Sequence, residues 1–246
     1  MDGGDEPRRV VCVSETVRRH VLAHYPRTDP AKLRVIPRGI DPARFAPAPR
    51  PDRVARALAA SMHPELGGEG PLLLLPGRGT RLKGHADALA LLAAMRAQGT
   101  DARLWLPGAR ESHRAAYVSE LEALARQLGV EAMLAITPPT DAIAQAYAAC
   151  DVVLQLSRRP EAFGRTVLEA LSVGRPVLGW DHGGVGELLH AWFPQGAIAP
   201  FDADALLAAA HAATARSGAP AVTMPDTLRQ MQEATLSLYD ELVRSD

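Results

Sequence analysis

Short, wholly apolar runs alternate with longer amphipathic ones along most of this chain, and that alternation constrains the fold more than any single motif. Strands are predicted over residues 72–75, 103–106, 132–136, 152–156 and 177–179, and helices over 85–98, 112–128, 140–149, 166–173 and 185–190. Runs such as Leu72-Leu73-Leu74-Leu75 and Val152-Val153-Leu154 offer no polar face. Strands of that kind are buried on both sides, as in a parallel sheet covered by helices. Parallel neighbours need crossover connections, which are right-handed. The predicted class is therefore α/β with a doubly wound parallel sheet. Ligands of such sheets bind beyond the carboxyl ends of the strands. Chemistry is expected in the loops after Leu75, Leu106, Ile136, Leu156 and Gly179.

Outside this region the pattern is less regular. A strand is predicted over 10–13, a helix from the N-cap Ser14 to about residue 24, and a short strand over 33–36. Residues 37–51 hold five prolines and read as an ordered linker. A helix is predicted over 52–62, an Ala-rich surface helix over 202–217 and an amphipathic helix over 227–243. The chain has 246 residues, 47% of them hydrophobic, enough to bury a core without disulfides or metals. A net charge of −1 and 4% aromatic residues argue against a nucleic-acid surface. Cys12 and Cys150 read as buried free thiols of a reducing compartment. The acidic start, Met1 to Glu6, does not read as a signal peptide, so none is expected, and no apolar run approaches the ~20 residues of a spanning helix. A cytoplasmic protein is expected.

Three loops are candidates for function. The first, residues 76–85, holds Gly77, Gly79, Gly84 and the cations Arg78, Arg81 and Lys83. It is neither a dinucleotide fingerprint nor a P-loop, because Leu82 stands where each requires glycine and no Ser or Thr follows Lys83. It offers Arg78 and Lys83 to an anion, or it is a solvated basic turn. The second loop carries Glu161, Phe163, Gly164 and Arg165 and leads into a helix holding Glu169. A helix start after a glycine favours an anion. A carboxylate there suits vicinal hydroxyls, and Glu169, flanked by Leu168, Ala170 and Leu171, is an unusual surface position. The third loop has Gly183 and Gly184, which allow close approach to a ligand, and Glu187, which either joins the site or complements a helix dipole. His85 either approaches a phosphate or packs at a helix start. Arg158 and Arg159 are further candidates for substrate contact. Trp105, Trp180 and Trp192 read as packing residues, and His113, His190 and His211 lack metal-ligand spacing.

Taken in order, these loops resemble the donor domain of GT-B glycosyltransferases, in particular the retaining family four (glycosyl transferases group 1). The matching elements are G-R-x-x-x-x-K-G from Gly77, E-A-F-G-x-x-x-x-E-A from Glu161, G-x-P-V from Gly174 and G-G-x-x-E from Gly183. The segment Val35-Ile36-Pro37-Arg38-Gly39-Ile40-Asp41 with Phe45 is similar to that family's interdomain linker, Arg38 replacing the usual Asn. The resemblance implies a Rossmann-like domain, the C-terminal half of a GT-B fold. It implies that Arg78 and Lys83 hold the donor diphosphate, Glu169 the ribose, and Glu161 the donor sugar, with Glu161, Arg78 and Lys83 acting in catalysis. Amides around Phe163, Gly164 and Arg165 complete the contacts, and the 136–139 loop lies by the nucleobase.

The implied substrate is a UDP-, GDP- or ADP-sugar, with no cofactor and no metal. Asp202 and Asp204 have the spacing of a metal-diphosphate motif but precede a late helix. The expected organisation is an acceptor-domain remnant and linker over 1–50, a nucleotide-sugar domain over 51–225 and a crossing helix over 226–246. Cell-envelope polysaccharide or lipopolysaccharide assembly, near the inner membrane face, is a common setting of the family. Two alternatives stand beside a complete transferase. One is a non-catalytic donor-binding module, or a subunit completed by an acceptor-domain chain or by self-association through its last helix. The other is a GT-B epimerase or phosphorylase.

Overall fold

The computed structural model of this chain describes residues 9–50, 52–215 and 227–244. A short unit comes first: β1 (Val10–Cys12), α1 (Glu15–His24) and β2 (Leu33–Val35), with β1 and β2 paired in parallel. Ser14 caps α1 by accepting from the Val17 amide. Then follow α2 (Arg53–Met62), β3 (Leu72–Leu74), α3 (His85–Ala97), β4 (Arg103–Pro107), α4 (Ala115–Leu128), β5 (Leu134–Thr137), α5 (Ile143–Ala149) and β6 (Val152–Gln155). The chain continues through α6 (Arg165–Ser172), β7 (Val177–Trp180), α7 (Gly183–Trp192), β8 (Ala197–Ile198), α8 (Ala203–Ala215) and α9 (Leu228–Arg244).

Strands β3 to β8 form one parallel sheet in the order β5-β4-β3-β6-β7-β8. The strands buried on both faces explain the apolar runs. Leu73, Leu75, Leu154 and Trp180 pack with residues of α3, α4 and α8 on one face. Leu72, Leu74 and Val153 pack with α5, α6 and α7 on the other. The chain runs outward from β3 through β4 to β5, then returns to place β6 on the other flank of β3. The strand order therefore reverses between β3 and β6, and at such a switch point the two loops diverge and leave a crevice. Those loops are the basic 76–84 loop and the Glu161 loop.

The linker is ordered, as its prolines predict. Arg175 is fully buried and donates to the carbonyls of Ala48 (3.1 Å), Pro49 (2.6 Å) and Ala148 (2.6 Å), which ties the linker to α5. Ser172 donates to Phe45 O (2.7 Å). Beside Gly39 a side chain would lie 2.2 Å from Thr227 O, so glycine lets the linker reach the start of α9, where the Leu228 amide donates to Ile40 O (2.7 Å).

Several boundaries differ from expectation. The two-residue strand β8 has no sequence signal because it is too short to show a period. The 112–128 helix opens with a 3-10 turn at Ser112–Arg114, and α5 starts later than residue 140, at Ile143. Residues 216 and 217 of the late helix, and the boundary placed at 225, lie outside the described residues. Asp202 serves as a helix cap, accepting from the Ala205 amide (2.9 Å). Cys12 and Cys150 are free and buried, and burial pushes the Cys150 thiol up to about 12.

Candidate functional site

A cavity of about 490 Å³ opens at the switch point. Arg78 and Lys83 from the loop after β3 line it, together with Glu161, Phe163, Gly164 and Arg165 from the loop after β6. Six of the seven predicted site residues thus share one space. Thr80, Ser157, Arg159 and Arg38 complete its charged and hydroxyl lining.

The loop after β3 gets its shape from glycine. Gly84 has φ +75°, and a side chain there would lie 2.0 Å from Leu156 O. Only glycine lets this loop close against the end of β6. Lys83 is thereby held beside Glu161, its Nζ donating to Oε1 at 2.6 Å. Gln155 Nε2 donates to the other oxygen at 3.0 Å, and Ser157 Oγ also donates to the carboxylate. The sequence motifs do not single out Gln155 or Ser157; polar residues at the end of a buried strand are the signal that could have found them.

The third loop packs against the second. Gly183 and Gly184 approach the Glu161 loop. A side chain on Gly183 (φ +61°) would lie 2.7 Å from Glu161 O, and one on Gly184 would lie 2.4 Å from Phe163 O. The Gly184 amide donates to Glu161 O at 2.8 Å. The paired glycines therefore seat the Glu161 loop on α7. Glu187 accepts from the amides of Glu15 (3.0 Å) and Thr16 (2.8 Å) and from Thr16 Oγ1 (2.9 Å). It complements a helix dipole, as one of its two readings held, but the helix is α1 rather than its own. Ser14 Oγ donates to Ala162 O at 2.6 Å, a second tie from α1 to the site loop.

Helix α6 points its N-terminus into the cavity through Gly164 (φ +121°), and no side chain caps it. Its first amides are available to an anion. Glu169 sits one turn further on, half-buried, outside the cavity lining. It accepts from Tyr147 Oη at 2.8 Å. Burial pushes its carboxyl above the ordinary value, against the Tyr147 hydrogen bond and the charges of Arg165 and Arg44.

His85 is a packing residue. It is fully buried, its Nδ1 is 3.3 Å from Tyr117 Oη, and burial lowers its pKa to about 4. Arg158 turns away from the cavity, gripping Asp87 at 2.7 and 2.8 Å and covering the Phe201 ring. Its neighbour Arg159 lines the cavity. Trp105 and Trp180 are buried, and Trp105 donates to Thr137 Oγ1 at 2.9 Å. Ile136 and Thr137 border a separate cavity of about 290 Å³ along β5, with His63, Arg110 and Glu122.

A parallel sheet with cations and an uncapped helix end at its switch point defines an α/β domain with a basic crevice. The chain belongs to the glycosyl transferases group 1 family, whose model matches residues 62–218; a glycosyltransferase family 4 model matches residues 4–44. It is 35% identical over 173 residues to the D-inositol 3-phosphate glycosyltransferase of Jonesia denitrificans, covering 68% of this chain and 39% of that protein. The chain thus spans about two fifths of the length of that curated relative. Among solved structures, a glycosyltransferase from Rickettsia africae ESF-5 covers 98% of the chain, which covers 65% of it, with a TM-score of 0.79 at 22% identity. Anabaena Alr3699/HepE in complex with UDP-glucose covers 94%, the chain covering 64% of it, with a TM-score of 0.72 at 20% identity. The fold is that of the GT-B glycosyltransferases.

Proposed function

We propose that the chain is the donor-binding part of a retaining, metal-independent glycosyltransferase and that its 490 Å³ cavity holds the diphosphate and sugar of a UDP-sugar. The observation that carries this reading is the convergence of Arg78, Lys83, Glu161 and the uncapped α6 N-terminus at the switch point. The HepE complex with UDP-glucose supports the choice of base. Residues 1–50 belong to the acceptor side, 51–225 form the donor domain, and 226–246 cross back.

Transfer breaks the bond between the anomeric carbon and the diphosphate. Negative charge grows on the departing phosphate as the sugar becomes oxocarbenium-like. Arg78, Lys83 and the α6 amides lie where they meet that charge, and one fixed donor of this kind contributes ~3 kcal/mol to a barrier. Lys83 enters this role from its ion pair with Glu161. Glu161 then turns its carboxylate to a sugar hydroxyl, and Glu169 offers its own to the ribose. These cations neutralise the diphosphate without a bridging metal. The acceptor is supplied from the side of β1, β2 and α9, by an acceptor domain. The family's setting in envelope assembly at the inner membrane face extends to this chain in the same reading.

The test is a transfer assay with UDP-sugars, run with the chain alone and with an acceptor domain added, the product's anomeric configuration being read by NMR. Release of UDP with a retained configuration, dependent on the acceptor domain, is expected. An inverted product, or transfer abolished by chelator, contradicts the reading.

A further inference from the structure

The cavity holds more positive charge than a donor diphosphate needs. Five cations line it (Arg38, Arg78, Lys83, Arg159 and Arg165), against the single carboxylate of Glu161. Among the described residues Lys83 is paired with Glu161, and the charge of Arg165 acts on the Glu169 carboxylate. Arg38, Arg78 and Arg159 have no carboxylate partner there. Arginines of the neighbouring loops do: Arg81 pairs with Glu120 and Arg158 with Asp87. The contrast is sharpest between the adjacent Arg158 and Arg159, one neutralised outside and the other unpaired within. Like charges gathered in one cleft repel, and such a field attracts anions. A nucleoside diphosphate sugar brings about two negative charges, which Arg78, Lys83 and the α6 N-terminus meet. Arg38 and Arg159 remain.

Their placement says which substrate they face. Arg159 stands two residues before Glu161. Arg38 comes from the linker and lines two spaces at once, the anion cavity and an apolar groove of about 610 Å³ formed with Val11, Val13, Ile36, Met231 and Leu236. It therefore stands on the β1, β2 and α9 side of the cavity. We propose that Arg38 and Arg159 form a second oxyanion subsite beside the donor diphosphate, and that this subsite takes the phosphate of a phosphorylated acceptor. The proposal rests on the donor reading above and adds to it the acceptor's chemical class and the residues that select it. Arg38 is a specificity residue in this view: an asparagine in its place retains hydrogen bonding but brings no charge.

The experiment titrates inorganic phosphate, then glucose 6-phosphate, into the chain saturated with UDP, followed by 31P NMR. UDP affinity is measured alongside by calorimetry, and the same titrations are made on Arg38→Asn/Arg159→Gln. The UDP-saturated chain is expected to bind both phosphates. The double variant is expected to lose that binding at least tenfold while UDP, held by Arg78 and Lys83, weakens by no more than about fivefold, which also shows that it is folded. Phosphate that binds only by displacing UDP overturns the proposal, as does a double variant whose phosphate binding is unchanged. An oxyanion on the donor sugar is the competing source, so UDP-glucuronate is compared with UDP-glucose. Equal affinities support the acceptor assignment, and a tenfold preference for the glucuronate overturns it. If UDP itself fails to bind, the donor reading falls and the proposal falls with it. If UDP binds and phosphate does not, the proposal alone falls.

Discussion

Replacing Glu161 by glutamine separates two roles that the geometry assigns to one carboxylate. Glu161 is the counter-ion of Lys83, at 2.6 Å, with the Lys83 and Glu161 side chains 25% and 27% exposed. When a diphosphate enters, that same negative charge lies close to the phosphates. Two charges about 5 Å apart repel by about 3 kcal/mol at an effective dielectric constant near 20. Solvent reaches a quarter of each side chain, and screening of this kind brings such terms toward about 1 kcal/mol. Glu161→Gln should therefore tighten UDP by about fivefold. The sugar moiety behaves in the opposite way. A charge-assisted hydrogen bond to a sugar hydroxyl contributes about 1.5–3 kcal/mol, so the advantage of UDP-glucose over UDP should fall by one to two orders of magnitude. Calorimetric titration of both ligands into the parent chain, Glu161→Gln and Lys83→Ala reads both effects. If Glu161→Gln weakens UDP as much as Lys83→Ala does, the carboxylate serves to position the lysine, and its role toward the sugar is refuted.

Three further outcomes follow from other parts of the molecule. Glu169→Ala should weaken UDP by about 1.5–3 kcal/mol through lost ribose hydrogen bonds, seen in the same titration; unchanged affinity removes Glu169 from the site. The burial of His85 makes stability depend on pH. Its folded pKa, about 4, lies below its ordinary 6.5, so the folded state binds fewer protons between those values. Its contribution is complete above pH 6.5 and is lost as pH falls toward 4, about 3 kcal/mol in all. Urea melts of the parent and of His85→Gln across pH 4–7 should show a shallower slope in the variant, and equal slopes would place the titration elsewhere. Glu187→Ala removes the acceptor of two α1 amides; water can replace it at the exposed Glu15 amide, while the part-buried Thr16 amide costs about 1–3 kcal/mol when left unpaired. Hydrogen exchange at Glu15 and Thr16 should rise while exchange in β3 and β6 stays slow; uniform acceleration would mean global destabilisation.

The legible part of the fold was its periodic part. Leu72 to Leu75 and Val152 to Leu154 announced buried parallel strands because both faces carry apolar side chains, and the spacing of helices between them fixed the crossovers. The site was legible to the extent that it is contiguous: Arg78 and Lys83 lie on one loop, and Glu161 through Arg165 on another. Contacts between distant segments were not. Nothing local marks Gly183 and Gly184 as the seat of the Glu161 loop, since the steric reason lies some twenty residues away. Glu187 is likewise a cap for α1, a helix 171 residues earlier in sequence at the Thr16 amide. Arg38 read as a small departure in a linker, because only the folded chain brings it into the cavity with Arg159. The motif hides the buried Arg175, although a cation between Gly174 and Pro176 in an apolar stretch is itself a sign that carbonyl groups surround it.

The most direct test of the account is whether this chain binds a UDP-sugar through Arg78 and Lys83. Thermal unfolding is followed with UDP-glucose, with UDP and with uridine, for the parent chain and for Arg78→Ala and Lys83→Ala. A ligand at 100 times its dissociation constant stabilises the folded state by about 2.7 kcal/mol, a shift easily read. The account predicts stabilisation of the parent by UDP-glucose and UDP, reduced in both variants, with uridine binding left nearly unchanged by them. No stabilisation by any UDP-, GDP- or ADP-sugar, or an equal loss for uridine and UDP in the variants, would contradict it.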